Sequence, residues 1–153
     1  MKVLTVQQPW ASLIFKMGVF GPFKQVETRS WKTGFRGELA IHAAKNHKKG
    51  LLDDLDDDER MTFASAGICT EEDIEALPHG AIIGVVDMVG CMPIEQLSQY
   101  RCVYEETFGD WSDGRYGWIL KDPVEYKTPI PAIGKLGLWE WEGSPDGETV
   151  QAP

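Results

Sequence analysis

The sequence predicts an α+β fold: a mixed β-barrel of five to seven short strands with two or three inserted helices. Three observations lead there. Strand-length segments recur, either alternating with a two-residue period or apolar throughout, at 25–31, 38–44 and 80–90 among others. The helical stretches between them lack the regular βαβ rhythm of a doubly wound sheet. The chain has 153 residues, 42% hydrophobic and 25% charged, which is the size and balance of one globular domain, and no internal repeat is visible.

The elements follow in order. Residues 3–6 (VLTV) form a short strand. Pro9 suits the first turn of a helix, and Trp10, Leu13, Ile14 and Met17 then make one apolar stripe that Gly18 ends. Gly18 to Pro22 is a loop. In 25–31, Gln25, Glu27, Arg29 and Trp31 share one strand face. After a turn at 32–37, a second strand puts Leu39, Ile41 and Ala43 on one face and Ala40 and His42 on the other. Lys45 to about Ala66 is expected to be helical, with an acidic run at 53–59, and Thr70 caps a short helix to Leu77. Gly80–Gly90 is a buried strand, Pro93–Ser98 a helical turn, and 99–114 a long polar and aromatic loop. A strand in 116–126 is broken at Asp122–Pro123, Pro129 and Pro131 bound a loop, and 137–142 is the last strand. The domain is expected to span 1–142, with a disordered acidic tail over 143–153.

Composition narrows the function. The start, MKVLTVQQPW, lacks the apolar run of a signal peptide, and no stretch is long and apolar enough for a membrane span, so a cytoplasmic location without membrane contact is expected. Three cysteines, none spaced as CxxC, argue against a disulfide framework. The three histidines do not stand at metal-ligand spacings with them, and the acidic run lacks the glycine-centred pattern of a calcium loop, so no metal or other cofactor is expected. Net charge is −9, but unevenly distributed: residues 1–50 carry nine Lys or Arg against two Glu, and the remainder is strongly acidic. The basic half can present a local anion-attracting face; scattered solvated lysines explain it as well.

The segments LTVQQPWASLI, KQVETRSW and FRGELAIHAAK resemble the ASCH domain, a family named for homology to a transcriptional coactivator, activating signal cointegrator. Its pattern of a QPWA helix start, a KxxExR segment and an RGxLxIHAA strand falls here on Gln8–Ala11, on Lys24, Glu27 and Arg29, and on Arg36–Ala44. The later GAIIGVVDMVGC, YGWILKDP and PIPAIGKLGLWEW segments are similar to the family's second half, so the likeness runs from about 3 to 142. The family glycine two residues before the lysine is replaced by Pro22, with Gly21 one place early. The resemblance implies a PUA-like barrel and a nucleic-acid-binding module. One small branch resembles an amidohydrolase that removes acetyl from N4-acetylcytidine with a Lys, a Thr three residues on and a distant Glu. Lys24 matches that Lys, but Glu27 stands where the Thr would be.

The candidate nucleic-acid contacts are Gln8, Pro9, Trp10, Lys24, Glu27, Arg29, Trp31, Arg36, His42 and Lys45. The helix start at Gln8–Pro9 offers free N–H groups to an anion. Arg29 has a planar fork suited to a phosphate or base edge. Glu27 can accept from a cytosine amino group or simply neutralise Arg29. Lys24 is a phosphate contact, a surface lysine or, if desolvated, a base; Lys24 and Glu27 are the catalytic candidates if the chain is an enzyme. Trp10 belongs to an apolar stripe and reads as core, whereas Trp31, on the Glu27/Arg29 face, is the better stacking candidate. Arg36, His42 and Lys45 extend the basic surface, with His42 alternatively a hydrogen-bonded structural residue. Asp87, in an apolar strand, needs a partner, in the cleft or in the barrel. Three functions are in contention: a module binding RNA, DNA or a modified nucleoside; a hydrolase of a modified nucleoside or a ribonuclease; and an adaptor whose acidic half meets a protein partner.

Overall fold

A computed structural model describes residues 1–143. The expected disordered tail therefore lies, but for Gly143, outside the described residues. Six strands form one mixed sheet in the order β4-β7-β6-β5-β1-β8, comprising β1 (Lys2–Val6), β4 (Val26–Arg29), β5 (Gly37–Ala43), β6 (Ala81–Pro93), β7 (Tyr116–Pro131) and β8 (Leu138–Glu140). Only β1 and β5 run parallel; the other neighbours are antiparallel. A small hairpin, β2 (Met17–Gly18) with β3 (Gly21–Pro22), stands apart from the sheet. Four helices fill the connections: α1 (Trp10–Leu13), α2 (Asp57–Ser65), α3 (Glu71–Glu75) and α4 (Val103–Phe108). The α+β class is as the sequence predicts, with the mixed sheet curled into a half-barrel and four helices where two or three were expected.

The strand alternation sorts the core correctly. Leu39, Ile41 and Ala43 face α1 together with Leu4, Val6, Met88 and Trp118, while Ala40 joins Val3, Ile82, Tyr126 and Trp139 on the opposite face. A third apolar cluster, with Leu13, Phe23, Phe63, Ile74 and Phe108, ties the four helices and the hairpin end together.

Five local expectations need correction. The helix after Pro9 is one turn, not two. The amides of Phe15 and Lys16 both bond to Ser12 O, and the chain turns into the hairpin, leaving Met17 61% exposed. The segment from Lys45 holds one short 3-10 turn, Leu51–Asp54, and no α-helix until Asp57. Gly50 takes a left-handed conformation (φ 76°), and the helix starts where Asp56 and Glu59 form a reciprocal capping box. The polar stretch 99–114 contains α4, whose apolar side chains Tyr104 and Phe108 pack edge-on against Phe23 and Phe63. Asp122–Pro123 does not end a strand. Asp122 sits at φ 51°, a conformation Asp tolerates, and β7 continues through a register shift to Pro131. Three such shifts between β6 and β7 bend these long strands. Asp87 is exposed, opposite Glu38 and Lys121 on neighbouring strands, and far from any need for a buried partner.

At Gly84 the sheet has no room for a side chain. A Cβ there would lie 2.5 Å from Val124 O and 2.6 Å from the Phe15 ring. Backbone cannot yield as a flexible side chain does, so Gly84→Ala is expected to cost about 2–3 kcal/mol in urea unfolding. A change under about 0.5 kcal/mol would show that the sheet and α1 are looser than described.

Candidate functional site

Where β4 enters the sheet, its side chains build an alternating line of charge. The Lys24 backbone amide donates to Leu13 O at 3.2 Å, which fixes the residue against α1. Its side chain is 1% exposed, and Nζ donates to Val26 O (2.8 Å) and Phe108 O (3.1 Å) and lies 3.4 Å from Glu27 Oε1. The ammonium thus has two hydrogen-bond acceptors and one ion-pair partner. Arg29 Nε donates to Glu27 Oε2 at 3.0 Å, with Nη2 2.8 Å from the same oxygen, and Nη2 also donates to Thr5 O on β1.

The opposite wall comes from the end of α4 and the approach to β7. Arg115 Nη2 donates to Thr28 O (2.9 Å), and the Asp110 amide donates to Thr28 Oγ1 (3.2 Å), so Thr28 joins the two walls. Arg115 Nε is buried and has no hydrogen-bond partner; Asp110 Oδ2 stands 3.6 Å away, beyond bonding distance. The Ser112 hydroxyl, then its amide and the Arg115 charge, hold the Asp110 carboxyl below the usual range. Beneath the floor, the Glu105 carboxylate accepts the amides of Gln25 (2.7 Å) and Val26 (3.3 Å). Burial pushes its carboxyl up, against the pull of those amides and of Lys24. Together these residues, with Gln7 and Trp10, enclose a cleft of about 440 Å³, within the range that holds small ligands.

Of the sequence candidates, Trp10, Lys24, Glu27 and Arg29 line this cleft. Trp10 is half-buried, packed against two apolar clusters yet on the cleft wall. Gln8 and Pro9 do not reach it: Gln8 is buried, bonding Ser12 and Pro78 O, and the residue that lines the cleft is Gln7. The helix start offers no open anion seat, because the amides of Ala11, Ser12 and Leu13 are already bonded to Gln7 O, Gln8 Oε1 and Pro9 O. Trp31 packs edge-on against Trp118, and the exposed Arg36 bonds the carbonyls of Thr33 and Phe35; neither lines the cleft. Sequence reading missed Gln7, Thr28, Asp110 and Arg115. The pairing of Arg29 with Tyr116 places Arg115 beside β4, but no local motif announces that register.

His42 and Lys45 line a second, neighbouring cavity of about 980 Å³. His42 is buried, with Nε2 2.7 Å from Ala132 O and Nδ1 3.3 Å from Thr5 Oγ1. Burial lowers its pKa below 6.5, against the opposing effect of the Ala132 carbonyl. The unfolded chain therefore takes up the proton first, and stability present above pH 6.5 is lost as pH falls toward the folded value. Wild-type protein is expected to lose stability on acidification in that window, and His42→Asn to lose this part of the slope. Parallel slopes for both would exclude burial of a neutral ring.

Among the described residues one group could hold a metal ion: His47, Glu71 and Glu75, whose ligand atoms lie within 4.8 Å of one another. His47 Nε2 is 3.0 Å from Glu71 Oε1, an ion pair in its own right when the ring is protonated. Sequence separation hid this group. Cys69, Cys91 and Cys102 are unpaired. Among the described residues no helix is long and apolar enough to cross a membrane.

The family model and the curated relatives agree with one another. The ASCH domain model matches residues 4–129. Human activating signal cointegrator 1 is 32% identical over 144 residues, covering 90% of this chain and 22% of that protein; its mouse counterpart is 31% identical with the same coverage. The chain thus spans about a fifth of the length of these relatives. Two crystal structures of ASCH from Zymomonas mobilis, one of them a tyrosine-to-phenylalanine mutant, align at 14% identity with TM-scores of 0.41 and 0.42, covering 85% of this chain and 72–74% of theirs.

Proposed function

Since the chain belongs to the ASCH domain family, we propose that its cleft receives one nucleotide of a nucleic acid, RNA in the first instance. The observation that carries this reading is Arg115: a guanidinium with an unpartnered buried Nε, in a cleft where every other buried side-chain nitrogen or oxygen among the described residues has a partner. A buried donor left open is costly unless a ligand completes it. Arg29 supplies a second planar fork nearby, and the Trp10 ring a wall on which a base can rest. The Lys24 ammonium donates to Val26 O and Phe108 O and stands in an ion pair with Glu27. That arrangement supports a fixed part of the wall rather than a free base, and so binding ahead of hydrolysis. Three unpaired cysteines accord with a cytoplasmic setting. The test is a salt-titrated binding assay with single-stranded RNA, duplex DNA and a panel of free modified nucleosides, with each mixture also analysed for breakdown products. RNA binding without products is expected. Products would move the chain among the hydrolases, and failure to bind any of the probes would remove the reading.

A further inference from the structure

The first cleft is nearly neutral in its local charges: Lys24 and Arg29 share Glu27, and Arg115 faces Asp110. The second cavity is different. Its two lysines, Lys45 and Lys135, are exposed, and neither pairs with a carboxylate among the described residues. Lys135 Nζ lies 5.9 Å from the centre of the Trp139 ring, which holds the ammonium near the wall. The wall itself is fixed. Ala132 O bonds His42, and Gly134 approaches the His42 ring so closely that a Cβ there would lie 2.7 Å from it. Ile133 and Leu136 stand 88% and 98% exposed on the rim, apolar surface for a sugar or base to lie against. The two cavities are neighbours: Gln7 lines both, and Thr5 gives its carbonyl to Arg29 on one side and its hydroxyl to His42 on the other.

Resting on the reading above, we propose that the ligand is a single-stranded nucleic acid that continues past Gln7 into the second cavity, where Lys45 and Lys135 hold a phosphate of the neighbouring nucleotide. The division follows from the charges. The first cleft has directed donors and acceptors suited to a base edge, whereas the second has free cations suited to the backbone. Tying two weak contacts into one strand makes the second intramolecular, so affinity rises steeply with ligand length.

The experiment uses fluorescein-labelled uridine mononucleotide, dinucleotide and octanucleotide in fluorescence anisotropy titrations at several salt concentrations. It compares the wild-type protein with Lys45→Ala/Lys135→Ala and with Arg115→Ala. For wild type, affinity is expected to rise by about tenfold or more from mononucleotide to octanucleotide. In the double lysine variant that ratio is expected to collapse, and the log–log salt slope for the octanucleotide to fall by roughly 0.7, the value for one lost phosphate neutralisation on a single strand. Arg115→Ala is expected to weaken every length. A mononucleotide that binds wild type as tightly as the octanucleotide overturns the proposal, and so does a double lysine variant with unchanged ratio and slope. Arg115→Ala that binds every length like wild type overturns the first-cleft reading itself, a separate failure visible with the mononucleotide alone.

Discussion

Lys24→Met is expected to destabilise the protein by about 3–5 kcal/mol, one of the two largest effects the structure implies. The methionine fills the space of the lysine stem but leaves Val26 O and Phe108 O without their donor. It also leaves the Glu27 carboxylate, 8% exposed, with Arg29 as its one charged partner. Unsatisfied buried carbonyls and an undercompensated buried charge each cost more than the intact group contributes in net terms. For a domain of this size the melting temperature should fall by roughly 10 °C. Thermal and urea unfolding followed by far-UV circular dichroism measure both. Glu27→Gln added to Lys24→Met should cost less than the two changes taken separately, because each removes the other's reason for penalty. A loss below about 1 kcal/mol for Lys24→Met would mean that Lys24 is a surface lysine and that the wall of the cleft is built otherwise.

Arg115→Ala should act on binding instead. Its Nε has no hydrogen-bond partner within the protein, and the bond the side chain makes there, to Thr28 O, is a single one. Loss of a charge-assisted hydrogen bond to a bound nucleotide is worth about 1.5–3 kcal/mol, a factor of roughly ten to a hundred in affinity. Folding stability should change by about 1 kcal/mol. Arg115→Lys keeps the charge but not the planar fork and should recover only part of the affinity. Arg29→Ala would lower both quantities, because Arg29 also neutralises Glu27 and holds Thr5 O. Arg115→Ala is therefore the cleaner probe. Equal affinity of wild type and Arg115→Ala for RNA would argue that the open Nε is not part of the site.

What the sequence disclosed follows from the range of the physics involved. Burial with a period of two is local, so the faces of 39–43 are legible, and so is the capped start at Thr70, where the hydroxyl and the Asp73 side chain complete a reciprocal box. Apolar spacing alone misled at Met17, because four apolar residues at helical intervals are equally compatible with one turn followed by a hairpin. The helix at 103–108 was hidden because its apolar residues, Tyr104 and Phe108, are half the pattern and their partners Phe23 and Phe63 are distant. In the cleft, Lys24, Glu27 and Arg29 stand out because they fall within one short segment. Arg115 and Asp110 reach them through the pairing of β4 with β7, across more than eighty residues. Gln7 and Gln8 differ by one residue, and only the fold decides which of them is buried.

The pairing of β1 with β8 has a consequence for how this chain is made. The Met1 amine bonds Glu140 and Trp141 O, and β1 gains its neighbour β8 only after every other strand of the sheet has been made. Until residues 138–140 emerge, β1 is an open edge that presents unpaired backbone along Lys2, Val3 and Leu4, the last two with side chains that the finished protein buries. Such an edge invites pairing with another nascent copy. Expression fragments that stop short of Glu140 should accumulate as aggregates, and the segment that guards the chain against this is the short strand Leu138–Glu140 rather than any part of the cleft.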